Sequence, residues 1–183
     1  MSPMLIILGI VVLIAIRWVM IYNRFISLNV TIDNSRGDID VQLKRRADLI
    51  PNLVETVKGY AGHEKSTLEA VINARASYVA AWSMDAKVAA DNGLSGMLKQ
   101  LFALAESYPD LKANGSFINL QEQLNQIEDV ISQARRYYNA SVREFNILVQ
   151  SFPSNIIANM FSFQTHTMFE ATENEREVVK VSF

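Results

Sequence analysis

Cysteine is absent from the 183 residues, which excludes disulfide bonds, thiol catalysis and thiolate metal sites. Glycine and proline are scarce, at 7 and 4 residues, whereas a chain rich in turns and strands would need more of both. The net charge of −2 argues against general nucleic-acid binding, which requires a basic surface to displace counterions. We therefore expect a helical protein with no nucleic-acid partner.

Only two histidines are present, and neither stands in a metal-binding pattern. His63-Glu64 begins like a zinc-protease motif, but the second histidine of that motif would fall at Thr67. The Glu-x-x-His arrangement of bundle metal sites is also missing, because Tyr60 and Phe163 stand three residues before the two histidines. We predict no catalytic residues, no metal site and no cofactor, and hence a protein that is not an enzyme.

The first 24 residues have the character of a membrane anchor. No polar side chain occurs from residue 4 to residue 16, and the apolar segment from Pro3 to Tyr22 has the roughly 20 residues needed to cross a bilayer. Arg17 can extend its side chain to the headgroups, and Trp18 and Tyr22 are typical of the interface. A cleaved signal peptide is the alternative, but it requires a basic start and a small-residue cleavage site, and neither is found here.

Basic residues follow the apolar segment, whereas the N-terminal flank carries only its amine. Positive flanks stay in the cytoplasm, so the sequence predicts a single-pass membrane protein with its N-terminus outside and its C-terminal domain in the cytoplasm. The lipid bilayer is therefore its first expected partner.

Helical periodicity continues through residues 25–153. Apolar residues form one stripe from Ile32 to Tyr60, Pro51 is expected to kink or break that helix, and the stripe resumes from Leu68 to Tyr78. A second helix is predicted over 85–108, ended by Pro109, and Ser116 is the predicted N-cap of the helix that follows.

The third predicted helix, residues 117–152, has the most regular pattern. Apolar residues recur in steps of three and four over five heptads, as in a coiled coil, and Phe152 is the last of them. At about 1.5 Å per residue such a helix is roughly 54 Å long, and it requires a partner along its whole length. We expect the segment 32–78 to be that partner, which gives an all-α fold: a transmembrane helix followed by an elongated antiparallel helical bundle.

Residues 154–183 form a tail of different character. Residues 170–177 are mostly acidic, and residues 178–183 alternate weakly, as in a short strand. Apolar residues cluster at the start of the tail, either to close one end of the bundle or to contact a neighbouring protomer or the membrane. They include Ile156, Ile157, Met160, Phe161, Phe163 and Phe169.

The basic block Lys44-Arg45-Arg46 is the most prominent polar feature. Arg46 lies on the apolar stripe, so it is expected to be buried and paired with an acid of a facing helix, with Glu128, Asp129 or Glu144 as candidates. Arg135, Arg136 and Arg143 are expected to pair in the same way with acids of the first helix. Binding of an outside ligand, such as a lipid headgroup, and a solvated run of charges are the alternatives.

Three ordered stretches resemble the LemA family of bacterial membrane-anchored helical proteins. The first is residues 38–62, DIDVQLKRRADLIPNLVETVKGYAG. The second is YPDLKAN at 108–114, and the third runs from ARRYYN at 134–139 to SFP at 151–153. The resemblance covers roughly residues 22–170, with departures at Gly37 and at 164–168. It implies a LemA-like architecture without an assigned biochemical activity, and a related branch of the family is associated with magnetosome membrane formation.

These features favour a membrane-anchored scaffold that associates with itself as a homo-oligomer and organises or shapes the membrane. The alternative is a membrane-tethered adaptor or signalling module that binds another cytoplasmic protein, whose identity the sequence does not reveal. The mass of the purified full-length protein distinguishes the two.

Overall fold

The computed structural model describes residues 3–169, and every regular element among them is a helix. The prediction of an all-α fold is therefore confirmed. The predicted acidic stretch and short strand of residues 170–183 lie outside the described residues. The elements are α1 (Pro3–Ala61), α2 (Lys65–Ala80), α3 (Met84–Ala105), α4 (Pro109–Lys112), α5 (Gly115–Gln150) and α6 (Ser154–Met160).

The described chain divides into two compact units, and α1 and α5 each contribute to both. The anchor unit comprises residues 3–36 and 135–169, and the bundle unit comprises residues 37–134. The segments predicted from the sequence, with boundaries at residues 24 and 153, stay predictions.

In the bundle unit, five helical segments, of which the four-residue α4 is the shortest, surround one apolar core. The second part of α1 turns at 62–64 into α2, which runs back along it, and α3 then reverses direction again. The side-chain amide of Asn114 donates a hydrogen bond to the Tyr60 hydroxyl, with 2.9 Å between the nitrogen and the oxygen. This bond brings the start of α5 to the end of α1. The core is built from buried aliphatic residues of all five segments, including Ile50, Leu53, Val57, Val71, Leu94, Leu101, Leu111 and Leu124.

Local signals set where these helices begin. The Ser83 hydroxyl accepts a bond from the Ala86 amide at the start of α3. At the start of α5, the Asn114 side chain accepts from the Phe117 amide at 3.0 Å. The prediction that Ser116 is this N-cap is therefore wrong, because the helix begins two residues earlier than its apolar pattern.

Pro51 does not break α1, which continues ten residues beyond it to Ala61. A proline lacks the N–H that would bond to the carbonyl four residues earlier, here that of Ala47. That carbonyl instead accepts a bond from Nε of Arg75 on α2, at 2.9 Å. The sequence predicts that Pro51 either kinks or breaks the helix, and the continuous α1 excludes the break. A side chain of the neighbouring helix supplies the hydrogen-bond donor that the proline lacks.

In the anchor unit, α5 runs antiparallel to the first part of α1. Arg24 pairs with Glu144, and the Arg36 guanidinium lies 5.9 Å from the centre of the Tyr138 ring, so the contacts run in opposite directions along the two helices. Phe25 and Phe145, both fully buried, meet edge to face at 5.5 Å in the core of this unit.

Helix α5 has the predicted length of 36 residues, but it spans 115–150 rather than 117–152. Most of its predicted apolar stripe is buried, from Phe117 through Ile131 to Phe145. Phe152 is the exception, because it lies beyond the helix end and 81% of it is exposed. Its predicted place in the buried seam is therefore wrong.

The Arg75 bond to the Ala47 carbonyl predicts energetic coupling between Arg75 and Pro51. Arg75→Ala leaves that carbonyl without its donor, and we expect a loss of about 1–3 kcal/mol in the free energy of unfolding. Pro51→Ala restores the helical N–H, so Arg75→Ala is expected to cost less in that background. Urea unfolding of the four proteins of this double-mutant cycle, followed by circular dichroism in detergent, measures the coupling.

Equal costs of Arg75→Ala in the two backgrounds would contradict this role of the guanidinium. Arg45→Ala is a suitable control, because the Arg45 side chain is exposed and its long contact to Gln42, at 3.4 Å, lies on the surface of its own helix.

Candidate functional site

Arg46 is the centre of a buried ion cluster in the bundle unit. Its Nη1 atom lies 3.1 Å from both carboxylate oxygens of Asp91 on α3 and 2.6 Å from Oε2 of Glu128 on α5. Arg46 and Asp91 are only 4% and 1% exposed, whereas Glu128 is half exposed. One guanidinium therefore links three helices, and it does so inside the protein rather than on its surface.

Two acids, Asp91 and Glu128, surround the single base of this cluster. Burial, reinforced by Asp40, Asp91 and Asp48, raises the pKa of the Tyr78 hydroxyl to about 12. Tyr78 therefore stays neutral at physiological pH and adds no negative charge to the cluster. Removal of one partner from a buried pair leaves an uncompensated charge, which typically costs about 3–5 kcal/mol.

A recess of about 110 Å³ opens beside the ion cluster, lined by Arg46, Ser95, Lys99, Phe102 and Glu128 among others. Small-molecule sites usually have volumes of about 300–1,000 Å³, so this recess is small for a metabolite. A wider depression of about 460 Å³ lies between Asn52, Thr56 and the start of α5, and its lining contains no titratable side chain. The ion cluster thus has the geometry of a structural element that joins helices.

The other basic residues named from the sequence lie nearer the surface. Lys44 pairs with Asp48 on the same helix at 2.6 Å, and both side chains are more than half exposed. Arg45, Arg136 and Arg143 are exposed, and Arg135 is half-buried. Glu144 pairs with Arg24 in the anchor unit. The predicted role of Arg135, Arg136 and Arg143 as partners of acids on the first helix stays a prediction.

Two asparagines of α5 hold the segment 163–169 in the anchor unit. The Asn146 side chain accepts from the amide of His166 and donates to its carbonyl, both at 2.9 Å. Asn139 makes the same pair of bonds to Phe169, also at 2.9 Å. The segment has no helix or strand that would pair its backbone groups. Each asparagine side chain instead bonds to both the N–H and the C=O group of one of its residues.

The spacing of this asparagine clamp matches the geometry of both segments. Asn139 and Asn146 are seven residues apart on α5, or about 10.5 Å along its axis. Three residues of an extended chain span a similar distance, at roughly 3.1–3.4 Å each. The rings of Phe163, His166 and Phe169 therefore all turn inward, onto Phe25, Phe145 and Tyr138 respectively.

The apolar residues predicted to contact a protomer or the membrane fall into two groups. Ile157 is fully buried, and Phe163 and Phe169 are half-buried against the helices of the anchor unit. Ile156, Met160 and Phe161 are exposed. The structure therefore makes the second group available for contacts outside the chain.

The N-terminal part of α1 is the one segment within residues 3–169 that is long and apolar enough to cross a membrane. The candidate interface residues lie in its last turns, where Arg17 is exposed and Trp18 and Tyr22 are half-buried. Tyr22 packs against Phe161, with ring centres 4.7 Å apart.

The outer face of α2 is a candidate surface that sequence reasoning missed. Ile72 and Val79, seven residues apart on this helix, are both exposed, and Trp82 in the following turn is 93% exposed. The i, i+7 spacing of the two aliphatic residues indicates that they share one side of the helix. The sequence does not distinguish this pair from the stripe of Leu68, Val71 and Tyr78, which is the side that the protein buries.

Within the described residues, no group of three or more histidine, aspartate or glutamate side chains is placed to hold a metal ion. The two histidines lie in different units, His63 in the turn after α1 and His166 in the clamped segment. Desolvation lowers the pKa of His166, and its Nε2 atom lies 3.0 Å from the side-chain oxygen of Asn29.

A sequence profile of the LemA family matches residues 35–183 of the chain. Among curated proteins, the chain is similar to Magnetosome protein MamQ 2 of Paramagnetospirillum magneticum, at 24% identity over 175 residues. That alignment covers 81% of this chain and 64% of the relative. Magnetosome protein MamQ of Magnetospirillum gryphiswaldense is 23% identical over 169 residues, covering 78% of this chain and 62% of the relative.

Protein LemA of Metamycoplasma hominis is 27% identical over 153 residues, and the alignment covers 82% of this chain and 69% of that protein. The chain spans less than two thirds of the length of the MamQ relatives.

The buried ion cluster predicts a large difference between two neighbouring basic residues. Arg46→Ala removes the only base of the Arg46–Asp91–Glu128 contacts, and we expect a loss of about 3–5 kcal/mol in stability. Lys44→Ala removes an exposed pair within one helix, and about 0.5 kcal/mol or less is expected. Urea unfolding in detergent compares the two variants, and similar losses would argue against a buried pair.

The asparagine clamp predicts that Asn139→Ala and Asn146→Ala each release part of residues 163–169. Amide hydrogen exchange by mass spectrometry should rise in that segment, because the bonds to the His166 and Phe169 amides are lost. Asn119→Ala is the matched control on the same helix, since its side chain bonds to Gln123 on the helix surface. Unchanged exchange in both clamp variants would show that the bonds do not hold the segment.

Proposed function

This chain belongs to the LemA family, and we propose that it is a membrane-anchored helical scaffold that associates with itself and thereby organises or shapes the bilayer. The apolar segment of α1 supports the anchoring part of this proposal. The exposed apolar face of α2 supports the self-association, and it is the observation that carries the proposal.

The α2 face is formed by Ile72, Val79 and Trp82, with Ala76 exposed between the first two. An exposed tryptophan next to exposed aliphatic residues is typical of protein interfaces, because aromatic side chains contribute much contact area and are enriched at their centres. No charged side chain belongs to this set of four residues, so burial of the face requires no desolvation of a charge.

A second copy of the same chain is the partner that we propose for this face. Membrane anchors gather all copies in one plane, which raises their local concentration and favours contacts that are weak in solution. Lateral contacts repeated between copies would then impose an order on the anchors and on the bilayer that holds them.

The curated relatives are consistent with a role at a membrane. The two MamQ proteins carry the name of magnetosome proteins, and the chain is similar to them over most of its own length. The chain spans less than two thirds of the length of the MamQ proteins. A role in membrane shaping is therefore part of our proposal and is not inferred from their names alone.

We place the chain in the bacterial inner membrane, with its N-terminus outside and both the bundle unit and the tail in the cytoplasm. Basic residues follow the apolar segment of α1, among them Arg17 and Arg24 and then the Lys44–Arg46 block. Positively charged flanks are retained on the cytoplasmic side.

The proposal predicts the mass of the full-length protein in mild detergent. Multi-angle light scattering, corrected for bound detergent, should give a multiple of the 20.6 kDa chain mass. The double variant V79S/W82S removes the two most exposed side chains of the α2 face, and we expect its mass to fall toward that of one chain.

Ile118→Ser is the matched control, because Ile118 is also an exposed aliphatic residue of the bundle unit but lies on α5. Its mass should equal that of the unmodified protein. A single-chain mass of the unmodified protein would overturn self-association and would favour the adaptor that binds a different cytoplasmic protein.

A further inference from the structure

The end of α5 lies at the level where α1 leaves the membrane. Arg24 pairs with Glu144, and the two helices run antiparallel at about 1.5 Å per residue. Six residues beyond Glu144, Gln150 therefore lies about 9 Å nearer the membrane, level with Trp18 of α1. Trp18 belongs to the interface segment of the span, so α5 ends inside the interfacial zone of the bilayer.

Helix α6 follows at the same level and packs against the end of the span. The Phe161 ring, next to the last residue of α6, lies 4.7 Å from the Tyr22 ring. Phe163 lies 6.1 Å from Tyr22 and stacks on Phe25 at 4.7 Å. All three ring contacts lie within the anchor unit, so they hold α6 beside the point where α1 emerges from the membrane.

Large apolar side chains remain exposed around this packing. Phe152 is 81% exposed, Met160 is 62% exposed, Ile156 is exposed, and Phe161 is 47% exposed although its ring also contacts Tyr22. Ile157 and Ala158, on the opposite side of α6, are buried against the unit. One side of the short helix is therefore covered by protein, and its exposed side carries Ile156 and Met160 together with the uncharged Asn159.

Charge is absent from the whole region. Residues 145–169 contain no aspartate, glutamate, lysine or arginine, and the one titratable side chain, His166, is turned inward onto Phe145. Insertion of this segment into the headgroup and upper acyl region thus requires no desolvation of a formal charge. The internal hydrogen bonds of α6, together with backbone bonds to the residues that flank it, satisfy most of its backbone groups, as an apolar environment demands.

We infer that the apolar collar, defined as Phe152, Ile156, Met160 and Phe161, inserts into the interfacial zone of the leaflet from which α1 emerges. The bilayer is the occupant because the same chain already places α6 against it, with no association step required. This inference rests on the proposed membrane anchoring. It adds a second membrane contact beside the span, which restrains the tilt and rotation of the anchor unit and adds apolar volume to one leaflet.

Site-directed spin labelling of the full-length chain tests the collar. Because the chain contains no cysteine, Phe152→Cys, Ile156→Cys and Met160→Cys each give a protein with a single label. Each variant is reconstituted into phosphatidylcholine vesicles that contain phosphatidylglycerol. Electron paramagnetic resonance then compares collisions of the label with oxygen, which concentrates in lipid, and with a water-soluble nickel chelate.

We expect labels at the three collar positions to collide mainly with oxygen. Ile10→Cys, within the span, is the positive control and should report a greater depth. Tyr137→Cys is the matched aqueous control, because Tyr137 is an exposed aromatic residue of α5 that lies 13 residues before the helix end at Gln150, or about 20 Å farther from the membrane. Its label should collide mainly with the nickel chelate.

Two results would overturn the inference. Collar labels as accessible to nickel as the label at Tyr137 would show that the surface faces water. Collar labels shielded from both reagents would show that protein covers it, which would assign the surface to contacts between copies. Failure of the anchoring itself is distinguishable, because the label at Ile10 would then be accessible to nickel as well.

Discussion

The continuity of α1 is the constraint on which the rest of the structure depends. This one helix of 59 residues contains the apolar segment that is long enough to cross a membrane, and it contributes to both the anchor unit and the bundle unit. Pro51 removes one of its internal hydrogen bonds, and Arg75 replaces the missing donor at the Ala47 carbonyl. This donor belongs to α2, so the hydrogen bonding of α1 around Pro51 depends on the packing of α2 against it. Backbone hydrogen bonding and helix packing are thus coupled at a single carbonyl group.

Buried polar contacts then determine the register of the helices. A slip of one helical turn, about 5.4 Å, would separate Arg46 from Asp91 and leave a charge unpaired inside the bundle unit. In the anchor unit, a slip of α5 along α1 would carry both clamping asparagines with it and would draw His166, which they hold, away from the Asn29 side chain on α1. Apolar stripes alone tolerate such slips better, because one aliphatic side chain can replace another in a groove. The polar contacts therefore supply a specificity that hydrophobic burial does not.

The proposed function uses surfaces that these constraints leave free. The α2 face and the apolar collar belong to different units, and we assign them to different partners: a second copy of the chain and the bilayer. We assign each surface its partner from its position along the chain relative to the apolar segment of α1. The collar contacts Tyr22 at the end of the span, whereas the α2 face belongs to the unit that contains no part of the apolar segment. A scaffold of this kind would couple the packing of its soluble helices to the orientation of its anchors.

The sequence by itself determined the helices and their apolar faces. The apolar segment at the start of α1 follows from its continuous run of apolar residues. The length of α5 and most of its buried stripe from Phe117 to Phe145 follow from periodicity, because a helix places residues three and four apart on one side. Tertiary structure decided the partners. Arg75 lies 24 residues from Pro51, Asp91 lies 45 residues from Arg46, and Asn139 holds a residue 30 positions later. It also decided that Ile157 is buried and that its neighbour Ile156 is exposed. Periodicity reports which residues share a side of a helix, whereas these contacts depend on which helix lies against that side, and residues distant in the chain meet only after it folds.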